Sequence, residues 1–200
     1  MRKPMLFICL LIAGCSTQLP RVKPPQIDAA AAAEGAIRAF DKDGDGALSR
    51  DESAACRGIQ SAWGRYDRDR DGRVSREELT ARFAEWGASD TGMMNLRVQV
   101  QYRKQPLPDA QVRLTPYEFL GDQFLAAEGV TDQYGYAFLS IPADRLPPSQ
   151  QGIFGMQVGL YRATVEHPSI KPADKYAAQS PLSVDLSPAE ANTGVSLELD

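Results

Sequence analysis

Two acidic stretches of twelve residues each could wrap a cation in oxygen. The first reads Asp41-Lys42-Asp43-Gly44-Asp45-Gly46-Ala47-Leu48-Ser49-Arg50-Asp51-Glu52. The second reads Asp67-Arg68-Asp69-Arg70-Asp71-Gly72-Arg73-Val74-Ser75-Arg76-Glu77-Glu78. Carboxylates recur at positions 1, 3 and 5, which are Asp41, Asp43 and Asp45, then Asp67, Asp69 and Asp71. Position 12 adds Glu52 and Glu78. Calcium, a hard cation, takes about six to eight oxygen ligands, and this alternation gathers carboxylates on the inside of a turning chain. Position 6 must turn sharply with φ > 0, which suits Gly46 and Gly72. Position 7 offers only its backbone carbonyl, so Ala47 and Arg73 both fit; Ser49 and Ser75 at position 9 suit a contact through water. A bidentate Glu then closes the shell. Four carboxylates around one point repel one another until a cation reverses the sign.

Both stretches match the pattern D-x-[DN]-x-[DN]-G followed by five residues and Glu, and they resemble EF-hand calcium loops. The resemblance implies two Ca²⁺ ions, held by the residues just named. The alternative is a pair of solvated acidic loops that no longer bind. Dockerin modules share the duplicated loop, but they lack full entering helices and carry Asp at the last position.

The elements that would position the loops are also legible. Asp28 is placed to cap a helix running through the alanines to Phe40. Asp41 and Asp67 lie 26 residues apart, and at that offset Ile37 matches Trp63 and Phe40 matches Tyr66. Each pair falls on one face of an entering helix. Leu48 and Val74, at position 8, are expected to meet in a short antiparallel bridge. Leu79, Phe83 and Trp86 mark the exiting helix of the second unit. The short connector around Gly58 favours a structural or buffering site over a sensor that opens widely. Cys56 reads as a small core residue.

Before these elements, residues 1–14 read as a secretory signal, with Arg2 and Lys3 ahead of an apolar run too short to span a membrane. Ile12-Ala13-Gly14-Cys15 resembles a bacterial lipobox. That resemblance implies lipidation of Cys15, a membrane anchor and a place in the cell envelope. Ser16 after the cysteine favours the outer membrane. Residues 15–27 carry Pro20, Pro24 and Pro25 and read as an extended tether that does not pack. If Cys9 leaves with the signal and Cys15 is lipidated, Cys56 has no partner for a disulfide.

After Trp86 the pattern changes. Residues 89–93 form a linker, and from Met94 the period becomes two: Leu96, Val98, Val100 and Tyr102 alternate with polar residues. Pro106 to Asp109 reads as a turn. Strands are expected over Ala110–Leu114, Phe124–Val130, Tyr136–Ile141, Leu160–Glu166, Leu182–Leu186 and Val195–Leu199. The long loop from Ala143 to Gly155 reads either as a binding surface or as a tolerated surface insertion, and its length fits both equally. Pro106-Leu107-Pro108-Asp109-Ala110-Gln111-Val112, Thr131-Asp132-Gln133-Tyr134-Gly135 and Gly159-Leu160-Tyr161-Arg162-Ala163-Thr164-Val165 resemble carboxypeptidase regulatory-like, or transthyretin-like, domains. So do Lys175-Tyr176 and Ser180-Pro181-Leu182 further on. The resemblance implies an antiparallel β-sandwich used as an accessory or interaction module.

Composition narrows the functional classes. The single histidine, His167, precedes a proline at a strand end, and no Ser/His/Asp set, Cys/His pair, phosphate loop or cysteine-rich zinc pattern occurs. An enzyme is therefore not expected. Net charge is −4; removing Arg2 and Lys3 from 22 basic residues against 26 acidic ones leaves −6. No basic stripe appears, which speaks against nucleic acid. The arginines in and between the loops (Arg50, Arg57, Arg65, Arg68, Arg70, Arg73 and Arg76) read as a solvated offset to local acidity. The expected architecture is multidomain: an all-α EF-hand pair at 28–88, the linker 89–93, and an all-β antiparallel sandwich of Ig-like or transthyretin-like type at 94–200. The expected function is a calcium-binding envelope lipoprotein whose sandwich meets a protein or glycan. The alternatives are an accessory subunit of an envelope enzyme, or a calcium-responsive regulator.

Overall fold

The structure, a computed structural model, describes residues 22–170, 180 and 182–200. Cys15, the segment 1–14, Lys175-Tyr176 and Pro181 lie outside the described residues. Helices come first and strands follow.

Helix α1 (Ala29–Phe40) starts where Asp28 accepts a hydrogen bond from the Ala31 amide, satisfying one of the free N–H groups of the first turn. Its buried face is Ala32, Ala33, Ala36, Ile37 and Phe40, the spacing of one helical stripe. Strand β1 (Ala47–Ser49), one-turn helix α2 (Arg50–Ser53), α3 (Arg57–Ser61), α4 (Trp63–Tyr66), strand β2 (Arg73–Ser75) and α5 (Arg76–Ala88) complete the helical part. Helix α5 buries Leu79, Arg82, Phe83 and Trp86 and packs on α1. The exiting helix of the first unit is a single turn. Cys56 therefore sits past its end, at the N-cap of α3, and is fully buried.

Residues 22–27 differ from the unpacked tether expected. Pro25 is buried, and the segment runs past Gly87 and Gly92. A Cβ on Gly92 would stand 2.1 Å from the Val22 carbonyl oxygen, so only glycine allows that approach.

The β part forms two four-stranded sheets. One contains β3 (Leu96–Tyr102), with β10 (Val195–Leu199) on one side and β4 (Gln105–Pro106) and β7 (Tyr136–Leu139) on the other. The second runs β6 (Ala127–Val130), β5 (Gln111–Pro116), β8 (Gly159–Glu166), β9 (Ser183–Leu186). A bridge between Glu128 and Ser140 joins the sheets. The wholly antiparallel expectation is corrected at β10, which runs parallel to β3. The cause is the crossing from β9 in one sheet to β10 in the other, through the one-turn helix α6 (Glu190–Thr193), where a hairpin would have returned antiparallel. Part of the expected 106–109 turn is strand: Pro106 pairs with Gln101, and the hairpin turn lies at Arg103 and Lys104, both at positive φ. The strand expected from Phe124 begins only at Ala127; Phe124 is a buried loop residue against Trp86.

The family-like motifs have structural work. The buried Thr131 hydroxyl donates to the Leu107 carbonyl at 2.6 Å and accepts from the Ala110 amide at 2.8 Å, tying two of them together. Asp132 accepts from the amides of Tyr134 and Tyr136, and Gly135 turns at positive φ.

Helices and sheets meet over one apolar interior. Phe119, in the 3₁₀ turn after β5, stacks on Phe83 and meets Phe40 edge-on; Tyr117 also meets Phe40 edge-on. Helix α3 lies directly against β9: the Gly58 amide donates to the Ser183 hydroxyl at 2.7 Å. The connector around Gly58 is thus pinned between helix and sheet.

Candidate metal centre

The two loops sit back to back. Strands β1 and β2 pair antiparallel with Leu48 opposite Val74, both fully buried, as position 8 led us to expect. Their neighbours pair as Ala47 with Ser75 and Ser49 with Arg73. This bridge fixes one loop against the other.

Within each loop the first three acidic positions converge. Asp41, Asp43 and Asp45 each bring a carboxylate oxygen within 4.8 Å of the others, and Asp67, Asp69 and Asp71 do the same. Asx-type hydrogen bonds hold the side chains in place. Asp41 accepts from the amides of Gly44 and Gly46, Asp43 from Asp45, and Asp45 from Ala47. In the second loop Asp67 accepts from Gly72, Asp69 from Asp71, and Asp71 from Arg73. Gly46 and Gly72 lie at φ of +87° and +89°, as the turn at position 6 demands.

The closing glutamates behave alike in both loops. Glu52 Oε1 accepts from the Lys42 amide at 2.7 Å and Glu78 Oε1 from the Arg68 amide at 2.8 Å, so each side chain spans its loop from end to beginning. Their other oxygens accept from the amide and hydroxyl of Ser49 and Ser75. Each serine in turn accepts from the backbone N–H of its glutamate, a complete capping box at the start of α2 and α5. The serines, which their loop position suits to a contact through water, also cap the helices that follow; the S-x-x-E spacing carries that second signal. The Ser49 hydroxyl, then the amides of Ser49 and Lys42, hold the Glu52 carboxyl down to about 2. Burial opposes the same effect at Glu78, but hydrogen bonds from Ser75 and Arg68 outweigh it and keep the carboxyl low. Asp43 is pushed up by desolvation and by the Glu52 and Asp41 carboxylates, with Arg73 pulling the other way.

One atom tests whether these residues suit a cation. Asp67 is buried, and its Oδ2 accepts from the Trp63 indole at 2.8 Å and from Gly72. Its Oδ1 is buried with no hydrogen-bond partner among the described residues. A buried carboxylate oxygen is costly unless a hydrogen-bond donor or a cation meets it. Beside Asp69 and Asp71, that oxygen suits a hard cation. Asp67, Asp69, Asp71, Glu78 and the Arg73 carbonyl would hold the ion of the second loop; Asp41, Asp43, Asp45, Glu52 and the Ala47 carbonyl would hold that of the first.

Several polar residues near the loops were not singled out from sequence. Asp185 on β9 is buried; it accepts from the Tyr66 hydroxyl at 2.5 Å and from Arg82 Nε at 3.2 Å, and it pairs with Arg65 at 3.3 Å. Tyr66 immediately precedes the first ligand of the second loop. Burial first, then the Asp185 carboxylate, pushes the Tyr66 phenol well above its ordinary value. The arginines are not a solvated offset alone. Arg65 pairs with Asp185 and Glu190, Arg68 with Glu85, Arg73 with Asp45 and Arg76 with Glu34, while Arg50 lies over the Trp63 ring.

No curated protein and no solved structure matches the chain. A family model described as EF hand matches residues 34–52 and 64–84, the two segments that contain these loops.

Proposed function

We propose that this chain is a non-enzymatic calcium-binding protein with one ion in each loop, and that calcium rigidifies the helical part against the sheets. The unpartnered Asp67 Oδ1 carries the reading, because a divalent cation resolves both its burial and the crowding of Asp69 and Asp71. His167 supports the non-enzymatic part: its Nδ1 accepts from the amides of Ser169 and Ile170 and so serves a turn.

The sequence around Cys15 supports an envelope lipoprotein anchored through that residue. Among the described residues no helix is long and apolar enough to cross a membrane. The β part fits a carboxypeptidase regulatory-like interaction module for a protein or glycan. Tyr134, Phe138 and Phe154, all exposed, support that use. A second reading, a calcium-responsive regulator, draws on the adjacency of Asp67 to Tyr66, whose hydroxyl is bound to Asp185 on β9.

Calorimetric titration of the full chain with CaCl₂ tests the metal sites. Two equivalents are expected, with Glu52→Gln and Glu78→Gln each removing one. Two equivalents in both variants would show that the ions bind elsewhere.

A further inference from the structure

We propose that Arg73 makes the two loops unequal: carried by the second loop, its guanidinium occupies Asp45 of the first, so the second loop fills with calcium before the first. The inference rests on the reading that both loops hold calcium.

The geometry comes from the β1–β2 bridge. Arg73 stands opposite Ser49, which places its side chain over the first loop, where the guanidinium meets Asp45 Oδ2. Asp45 is the position-5 carboxylate of that loop. Its Oδ1 accepts from the Ala47 amide, so both oxygens have partners. The symmetry-related residue is Ala47, opposite Ser75, and a methyl group supplies no cation to the second loop. Asp71, the equivalent of Asp45, has no ion pair among the described residues.

An independent difference points the same way. Both oxygens of Asp41 accept backbone amides, from Gly44 and Gly46. In the second loop the equivalent Asp67 leaves Oδ1 buried and unpartnered. The backbone therefore satisfies both oxygens of Asp41 in the first loop, while the second loop keeps an Asp67 oxygen that a cation would complete.

The pair is displaceable, because its side chains are 42% and 36% exposed. A unit positive charge about 5 Å from a divalent ion at water-like dielectric weakens binding about tenfold. Salt screens such a half-exposed charge, so the gap narrows as ionic strength rises.

The test uses the full chain and CaCl₂ alone. The Glu52→Gln protein reports the second loop and the Glu78→Gln protein the first. The former should bind calcium about tenfold more tightly, and adding Arg73→Ala to Glu78→Gln should tighten the first loop about tenfold. Ala47→Arg in the Glu52→Gln protein should weaken the second loop by a similar factor, because it places a guanidinium opposite Ser75. Circular dichroism establishes that each variant is folded. If Glu78→Gln titrates alike with and without Arg73, and Ala47→Arg changes nothing, the proposal is overturned although the loops bind calcium. Absence of calcium uptake by the unmutated chain would instead overturn the reading beneath it.

Discussion

Replacing Asp185 with Ala should destabilise the protein more than any single change on its surface. Asp185 is 6% exposed and carries hydrogen bonds from Tyr66 and Arg82, with Arg65 close by. Arg82 is 5% exposed, and its other carboxylate partner is Glu85. Losing Asp185 leaves a buried guanidinium without its main counter-ion and a buried phenol hydroxyl without an acceptor. Breaking a buried pair from one side costs about 3–5 kcal/mol. For a chain of 200 residues, each kcal/mol moves the melting temperature by about 2–4 °C, so Asp185→Ala should melt about 6–20 °C lower. Replacing the pair together, as Arg82→Met with Asp185→Leu, removes both charges and should recover most of the loss. Urea denaturation of the unmutated chain, Arg82→Met, Asp185→Leu and the double variant, a complete double-mutant cycle, measures the coupling. A loss below about 1 kcal/mol for Asp185→Ala, the range of an exposed ion pair, would refute the claim that this network fastens helices to sheet.

Two further outcomes follow from local geometry. A Cβ on Gly58 would lie 2.7 Å from Leu160 Cδ1 and 3.0 Å from the Asp185 amide nitrogen, so Gly58→Ala should cost about 1–3 kcal/mol by forcing α3 away from β9. Loss of that contact should appear as faster amide exchange along β9; wild-type stability in denaturant would contradict it. The second concerns acid. With the Glu52 carboxyl held down to about 2, the ionised folded form is favoured. Its contribution is present above the ordinary glutamate range and is lost as pH falls from about 4.5 towards 2, with Glu78 acting in the same direction. Calcium-free protein should therefore lose melting temperature over that window, and Glu52→Gln should flatten the slope.

The loops, helix α1 and most strands could be read from sequence because local chemistry dictates them. Position 6 requires Gly46 and Gly72, Asp28 caps a run of alanines, and the Leu96-Val98-Val100 alternation has only one face to bury. Direction and partnership were harder. Val195, Leu197 and Leu199 alternate identically whether β10 runs parallel or antiparallel to β3. Asp185 lies between Val184 and Leu186 in a pattern that ordinarily turns the polar residue to water; here that face is covered by helices, so the aspartate is buried. Arg73 occupies a position where only the carbonyl matters to the loop, and its reach to Asp45 depends on the β1–β2 register.

The central claim is that calcium completes the two loops, and melting curves in calcium and in chelator test it most directly. With free calcium at about one hundred times the dissociation constant, each ion adds about 2.7 kcal/mol. Two ions should therefore raise the melting temperature of the full chain by about 10–20 °C. The smaller Mg²⁺, which needs near-octahedral geometry and gives up its water reluctantly, should do much less. Superimposable melting curves in millimolar calcium and in excess chelator would contradict the account.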